Sequence, residues 1–263
     1  MKVMPLLIML LLLGLAACTT GSPAAGSPQE LTVFAAASLT DAFNELGETF
    51  QEQNEEARVV FNFAGSSQLA AQLAEGAAAD LFASANPTQM QNVVDSGRIA
   101  AGTEELFASN RLAVIVPADN PAGITALEDL ARPGVQMILA VVGVPVRDYT
   151  DQIVAAMPAD FQRSFYANLV SEEDNVRQVA AKVALGEADA GLVYTSDVTP
   201  DIASKVQQIA IPEAQNVIAV YPIAVLSDAP HPELAQRFVA FLQSAEGQAI
   251  LSRWGFGAPP RRE

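Results

Sequence analysis

The sequence predicts an α/β protein of two lobes on a mainly parallel sheet, and three observations carry that expectation. From Leu31 onward, short apolar runs of strand length alternate with longer segments of helical spacing. Strand–helix alternation of this kind is the pattern of a parallel sheet layered with helices. The chain beyond Leu31 also exceeds the usual size of one domain, and no long linker or internal repeat divides it. Two lobes joined by extended crossing segments satisfy all three.

The elements follow in order. Leu31-Thr32-Val33-Phe34-Ala35 is rich in strand-forming residues, and Leu39 to Gln51 follows with helical spacing; Val59-Val60-Phe61-Asn62-Phe63 and then Gln68 to Glu75 repeat the pair. Later strands are expected at Leu81-Phe82-Ala83, at 112–116, at 137–141, at 190–194 and at 223–226. Helices are expected over 126–130, 148–157, 176–185 and 232–244. Crossings near Ser109–Leu112 and Tyr221–Val225 would make the first lobe discontinuous, with residues 31–108 plus 226–263 in lobe 1 and 109–225 in lobe 2.

The amino end sets the compartment. Lys2 precedes an apolar run from Leu6 to Leu15, and Leu15-Ala16-Ala17-Cys18 follows at once. That is the layout of a secretory signal over residues 1–17. A membrane-spanning helix needs ~20 apolar residues, and this run is interrupted by Gly14. The tetrapeptide ending in Cys18 resembles the bacterial lipobox, which implies a lipidated Cys18 and an exported, membrane-anchored chain facing the periplasm or the cell exterior. Residues 18–30, small and flexible, read as a tether. Cys18 is the only cysteine, so no intrachain disulfide can form and the fold must rest on its core.

The formal charge of −16, with acids spread along the chain, argues against nucleic acid as a partner. Enzymatic chemistry finds little support. The single histidine, His231, lies between Pro230 and Pro232, no second cysteine exists, and no serine stands in a Gly-x-Ser-x-Gly elbow, which removes the usual nucleophile and zinc arrangements. Paired carboxylates leave a hydrolase or isomerase as the enzymatic alternative. No cofactor is expected.

Neutral donors at strand–helix junctions are the candidate chemistry. Phe34-Ala35-Ala36-Ala37-Ser38 and Phe63-Ala64-Gly65-Ser66-Ser67 each end a strand and lead into a helix. Ser38, three residues before Asp41, is expected at an N-cap. Free N–H groups and the helix dipole at such a junction favour an anion. In the second half, Pro145 fits a first helical position and leaves Val146 with a first-turn N–H; Val176 opens another helix, with Asp174 or Ser171 as its cap. Tyr194 ends a strand, where its phenol can reach a cleft. Any one such junction is commonly plain structure.

Val33-Phe34-Ala35-Ala36-Ala37-Ser38-Leu39-Thr40, Phe63-Ala64-Gly65-Ser66-Ser67, the GAAADLFAS stretch from Gly76 to Ser84, Val193-Tyr194-Thr195-Ser196-Asp197 and the closing Arg253-Trp254-Gly255-Phe256 together resemble the periplasmic molybdate-binding proteins of ABC importers, from about Leu31 to Phe256. The resemblance implies an α/β, two-lobed type II periplasmic binding protein fold with a hinged cleft, and a monomer that delivers molybdate or tungstate to a membrane permease. It further implies oxyanion ligation by Ser38 and Ser66 through hydroxyl and N–H, by Val146 and Val176 through N–H, and by Tyr194 through its hydroxyl. Sulfate or a phosphonate is the alternative ligand. The chain departs from the family over Leu139 to Tyr149, which is short and carries Arg147 where glycine is usual. Arg147 is expected to lean over the cleft rim and pair with Asp148 or Asp151, the other course being direct contact with the anion.

Overall fold

The computed structural model describes residues 28–260. The signal at 1–17, the lipidation of Cys18 and the tether as far as residue 27 lie outside the described residues. In chain order the strands and helices are β1 (Gln29–Ala36), α1 (Thr40–Gln53), β2 (Ala57–Ala64), α2 (Ser66–Ala74), β3 (Leu81–Ala83), α3 (Pro87–Asp95), β4 (Glu105–Pro117), β5 (Met137–Ala140), α4 (Pro145–Ala155), α5 (Ala159–Ala167), β6 (Leu169–Glu173), α6 (Val176–Ala184), β7 (Ala190–Tyr194), β8 (Val206–Ala210), β9 (Ile218–Val225), α7 (Pro232–Gln243) and α8 (Ala245–Arg253).

Two sheets share one strand. The first has the order β2-β1-β3-β9-β4 and the second β6-β5-β7-β4, with β8 also on β4. Glu105–Arg111 of β4 pairs with β9, whereas Leu112–Pro117 pairs with β7 and β8. One long strand therefore passes from the first lobe to the second, with β9 antiparallel beside it in the first. The triplets β2-β1-β3 and β6-β5-β7 are parallel, but every pairing of β4, β8 and β9 is antiparallel. The sheets are thus more mixed than the strand–helix alternation suggests. A strand that enters a lobe from its neighbour arrives from the opposite end to the local βαβ strands, and apolar content does not record that direction.

Alternation along the strands explains the layers. Leu31, Val33 and Ala35 of β1 face α1 and α7, where Phe43, Leu46, Phe50 and Phe238 meet them. Phe34 of β1 and Phe82 of β3 point the other way, onto Leu69 and Leu73 of α2 and Met90 and Val93 of α3. Phe43, Leu46, Gly47 and Phe50 form the buried stripe of α1, at the i, i+3, i+4, i+7 spacing of one helix face. The ring of Phe50 meets that of Phe238 edge-on at 5.2 Å, a geometry that adds ~0.5–1.5 kcal/mol beyond area burial. In the second lobe Val176, Val179, Ala180 and Val183 give α6 the same kind of stripe.

Candidate functional site

The ends of β1, β2, β5, β6 and β7 turn toward one another, and the turns that follow them make the site, as in other open α/β sheets where ligands sit beyond strand carboxyl ends. After β1 the chain makes a 3-10 turn, Ala37–Leu39, before α1 begins. Ser38 is in that turn, and the N-cap of α1 is Leu39, without a side-chain cap. The expected capping role of Ser38 is therefore incorrect. Its buried hydroxyl lies 3.2 Å from the Tyr221 hydroxyl instead, because the extra turn moves Ser38 out of reach of the α1 N–H groups.

After β2, Gly65 caps α2 and Ser66 is its first residue. The Ser66 hydroxyl accepts the Ala85 N–H at 3.1 Å, which aims it and leaves its own proton to donate. A side chain at Gly65 would collide across the cleft: an added Cβ would stand 2.5 Å from the Asp174 carbonyl oxygen. The first-turn N–H groups of α2 have no acceptor within the helix.

The second lobe supplies two more helix starts. Pro145 is the first residue of α4, as its fixed φ and missing N–H favour, and the buried Val146 follows it. Val176 opens α6, but its cap is Asn175, whose side chain accepts the Gln178 N–H. Neither Asp174 nor Ser171 caps this helix; Asn175 stands at the position whose carbonyl oxygen reaches the third N–H.

Tyr194 ends β7 with its ring edge-on to Tyr149 at 6.5 Å and to Tyr221 at 5.8 Å. Its hydroxyl is completely buried and, although it approaches that of Tyr221, has no partner in hydrogen-bond geometry. Burial first, and then the neighbouring phenols, hold the Tyr194 pKa well above the ordinary value. Burial and the charge of Asp197 do the same for Tyr221. Both rings stay protonated and serve as neutral donors.

Ser38, Ser66, Val146, Val176 and Tyr194 all line one cavity, together with Gly65, Ala85, Pro145 and Asn175 among others. Its lining contains no carboxylate and no cation. The cavity is small, on the scale of a single small occupant. The starts of α2, α4 and α6 converge there, so three dipoles present their positive ends to one point. Ser38, Ser66, Val146, Val176 and Tyr194 are all buried, and burial strengthens each charge-assisted hydrogen bond.

Contacts between the lobes close the cleft around it. Asn86 donates to Asp148 at 3.0 Å and Gln89 to the Gly143 carbonyl at 2.8 Å. Asp148, held above the usual carboxylate range chiefly by burial, does not pair with Arg147. Arg147 is 7% exposed, so the expected lean over the rim is incorrect, and it does not line the cavity either. Its Nε bonds Asp151 at 2.8 Å, its Nη1 bonds Glu172 at 2.6 Å and the Ala140 carbonyl at 3.1 Å, and it lies over the Tyr166 ring at 5.5 Å. Two carboxylates, a carbonyl and a ring face compensate for burying a cation near a helix start.

Sequence reasoning did not single out Gly65, Ala85, Asn175 or Tyr221. Asn175 could have been found, since Asn three residues before Gln178 is a capping pattern. Tyr221 could not, because its role depends on where β9 crosses the first sheet.

The fold and the cavity define the class: two α/β lobes with one small cavity between them, the architecture of a solute-binding protein. The chain belongs to the bacterial extracellular solute-binding protein family, whose model matches residues 31–257. It is 43% identical over 256 residues to the molybdate-binding protein ModA of Mycobacterium tuberculosis strain H37Rv, covering 95% of each chain. The periplasmic molybdate-binding protein of Azotobacter vinelandii shares the fold with a TM-score of 0.76 at 20% identity, over 88% of this chain and all (100%) of that one. The sulfate-binding protein SubI of M. tuberculosis H37Rv does so with a TM-score of 0.79 at 20% identity, over 87% and 86%.

Proposed function

We propose that this chain captures molybdate, with tungstate as its near-equivalent, and delivers it to an ABC permease. The observation that carries the reading is the convergence of three helix starts and three buried neutral hydroxyls on one cavity free of charged side chains. The 43% identity to ModA over nearly the whole chain supports the same ligand. The ligand residues are Ser38, Ser66 and Tyr194 through hydroxyls and Ser38, Ser66, Val146 and Val176 through N–H groups.

A tetrahedral dianion suits such a cavity, since its oxygens accept from every direction and demand no donor in return. Hydrogen phosphate brings a proton near neutral pH, and no carboxylate lines the cavity to accept it. Negative net charge is no obstacle, because the anion meets local dipoles in a dry pocket, not the field of distant solvated acids.

The reading includes lobe 1 as residues 31–108 plus 226–263 and lobe 2 as 109–225, with the two crossing segments, Ser109–Arg111 of β4 and β9, lying on the sheet of lobe 1, together with a monomer and a lipid anchor at Cys18 outside the cytoplasm. Binding without chemical turnover is part of the reading, supported by a lining with no histidine, cysteine, lysine or carboxylate to activate its serine hydroxyls. Protein purified from cells grown with molybdate and assayed for bound metal tests it: about one molybdenum per chain is expected, and none retained after buffer exchange would count against it. A Cys18→Ser variant should move from the membrane to the soluble fraction once its signal is processed.

A further inference from the structure

Arg177 stands behind the cavity where the lobes meet, one residue after Val176. Its Nη1 is 2.7 Å from Asp41 on α1 of the first lobe, and its Nε is 2.8 Å from Asp197 at the end of β7 in the second. Its Nη2 donates to the Ser38 carbonyl at 3.2 Å. Neither ion pair is aligned as a hydrogen bond, so the attraction is chiefly Coulombic. Arg177, Asp41 and Asp197 all lie outside the cavity lining.

The two carboxylates differ in kind. Asp197 is wholly buried, accepts the Tyr194 N–H at 3.0 Å and belongs to the same lobe as Arg177, so it aims the guanidinium whether or not the lobes touch. Asp41 and the Ser38 carbonyl belong to the other lobe, and their contacts with Arg177 exist only when the cleft is shut. The Ser38 turn also carries donors that face the cavity, so a hold on its carbonyl steadies them.

We infer that Arg177 is a positioning residue: a latch, aimed by Asp197, that closes on Asp41 and the Ser38 carbonyl and sets how long a bound oxyanion is retained without touching it. This rests on the reading of the cavity as an oxyanion site. The latch forms after the lobes meet, so it acts on release more than on capture.

A simple field effect predicts the opposite for one variant. Asp41→Asn removes a negative charge near an anion site, so a field alone would slow release, whereas loss of the latch hastens it. Release of labelled molybdate from the processed full-length protein into excess unlabelled molybdate is the measurement, on wild type, Arg177→Gln, Asp41→Asn and the double variant. Each single variant should release roughly 5- to 50-fold faster; Asp41→Asn should keep an anion-free melting temperature close to wild type, whereas Arg177→Gln, which also leaves the buried Asp197 without its cation, should melt lower. The double variant should be no faster than the worse single one, as expected when two residues form one interaction. Asp41→Asn releasing at or below the wild-type rate overturns the latch, as do single effects that multiply in the double variant. Failure of the parent reading shows elsewhere, in a wild-type chain that retains no molybdate, and it would take the latch down with it.

Discussion

The hydroxyl of Ser66 accepts the backbone N–H of Ala85 at 3.1 Å, so two turns of the first lobe are tied together by an oxygen whose proton is left to point elsewhere. Ser66 lines the cavity, so that proton is free to turn toward a bound anion. Ser66→Ala should weaken molybdate binding by ~1.5–3 kcal/mol, the range for a hydrogen bond to a charged group, or roughly 10- to 150-fold. Isothermal calorimetry checks it, and wild-type affinity would remove Ser66 from the site.

Gly65→Ala is a change in closure more than in folding. The Gly65 backbone, at φ −58° and ψ 135°, accepts alanine without strain, so the first lobe should fold normally and the anion-free melting temperature should stay near wild type. The added Cβ would meet the Asp174 oxygen at 2.5 Å, and the lobes cannot both keep their places. Affinity should drop at least tenfold in an equilibrium titration; unchanged affinity would mean that the lobes accommodate the methyl group with ease.

Tyr194→Phe should separate stability from binding. The buried hydroxyl has no aligned partner, and an unsatisfied group of this kind costs ~1–3 kcal/mol. Its removal should leave the anion-free protein as stable as wild type or more so, while affinity falls by roughly tenfold or more. Denaturant unfolding with and without molybdate reads both effects, and a variant that is less stable without the anion would show that the hydroxyl already has a partner.

Asp197 gives the stability a definite pH dependence. Burial raises its pKa from the ordinary 3.8 to about 6, with Arg177 pulling the other way. A carboxyl with a raised pKa takes up a proton more readily folded than unfolded, so its contribution is fullest below 3.8 and is lost as pH rises through about 6. The melting temperature of wild type relative to Asp197→Asn should therefore fall between pH 4 and pH 7. A flat difference across that window would show that Asp197 stays ionised throughout.

The fold was legible wherever burial leaves a period. The β1–α1 and β2–α2 pairs and the strands at β3 and β7 fall where their apolar spacing places them. The stretch read as a helix at 126–130 is a 3-10 turn, Leu127–Ala131, too short for periodicity to distinguish. Val206–Ala210 of β8 escaped notice because it is an edge strand with mostly exposed side chains. The α8 helix was hidden because Ser244, which ends α7, also caps α8 through the Gly247 N–H. At the site, junction chemistry pointed to Ser38, Ser66, Val146, Val176 and Tyr194. The surroundings of those residues were not legible: Tyr221, the Gly65–Asp174 approach and the Arg177 network each join residues more than a hundred positions apart, a relationship that no local pattern encodes.

The central claim is that neutral donors in a closed, uncharged cavity select a fully ionised tetrahedral dianion. Competition calorimetry on the wild-type protein at neutral pH, with molybdate, tungstate, sulfate and phosphate, tests it most directly. Molybdate and tungstate should bind with similar affinity and at least a hundredfold more tightly than phosphate, with sulfate weaker than either metal oxyanion. Phosphate binding as tightly as molybdate would contradict the account, since a cavity lined as this one is has no carboxylate to receive its proton.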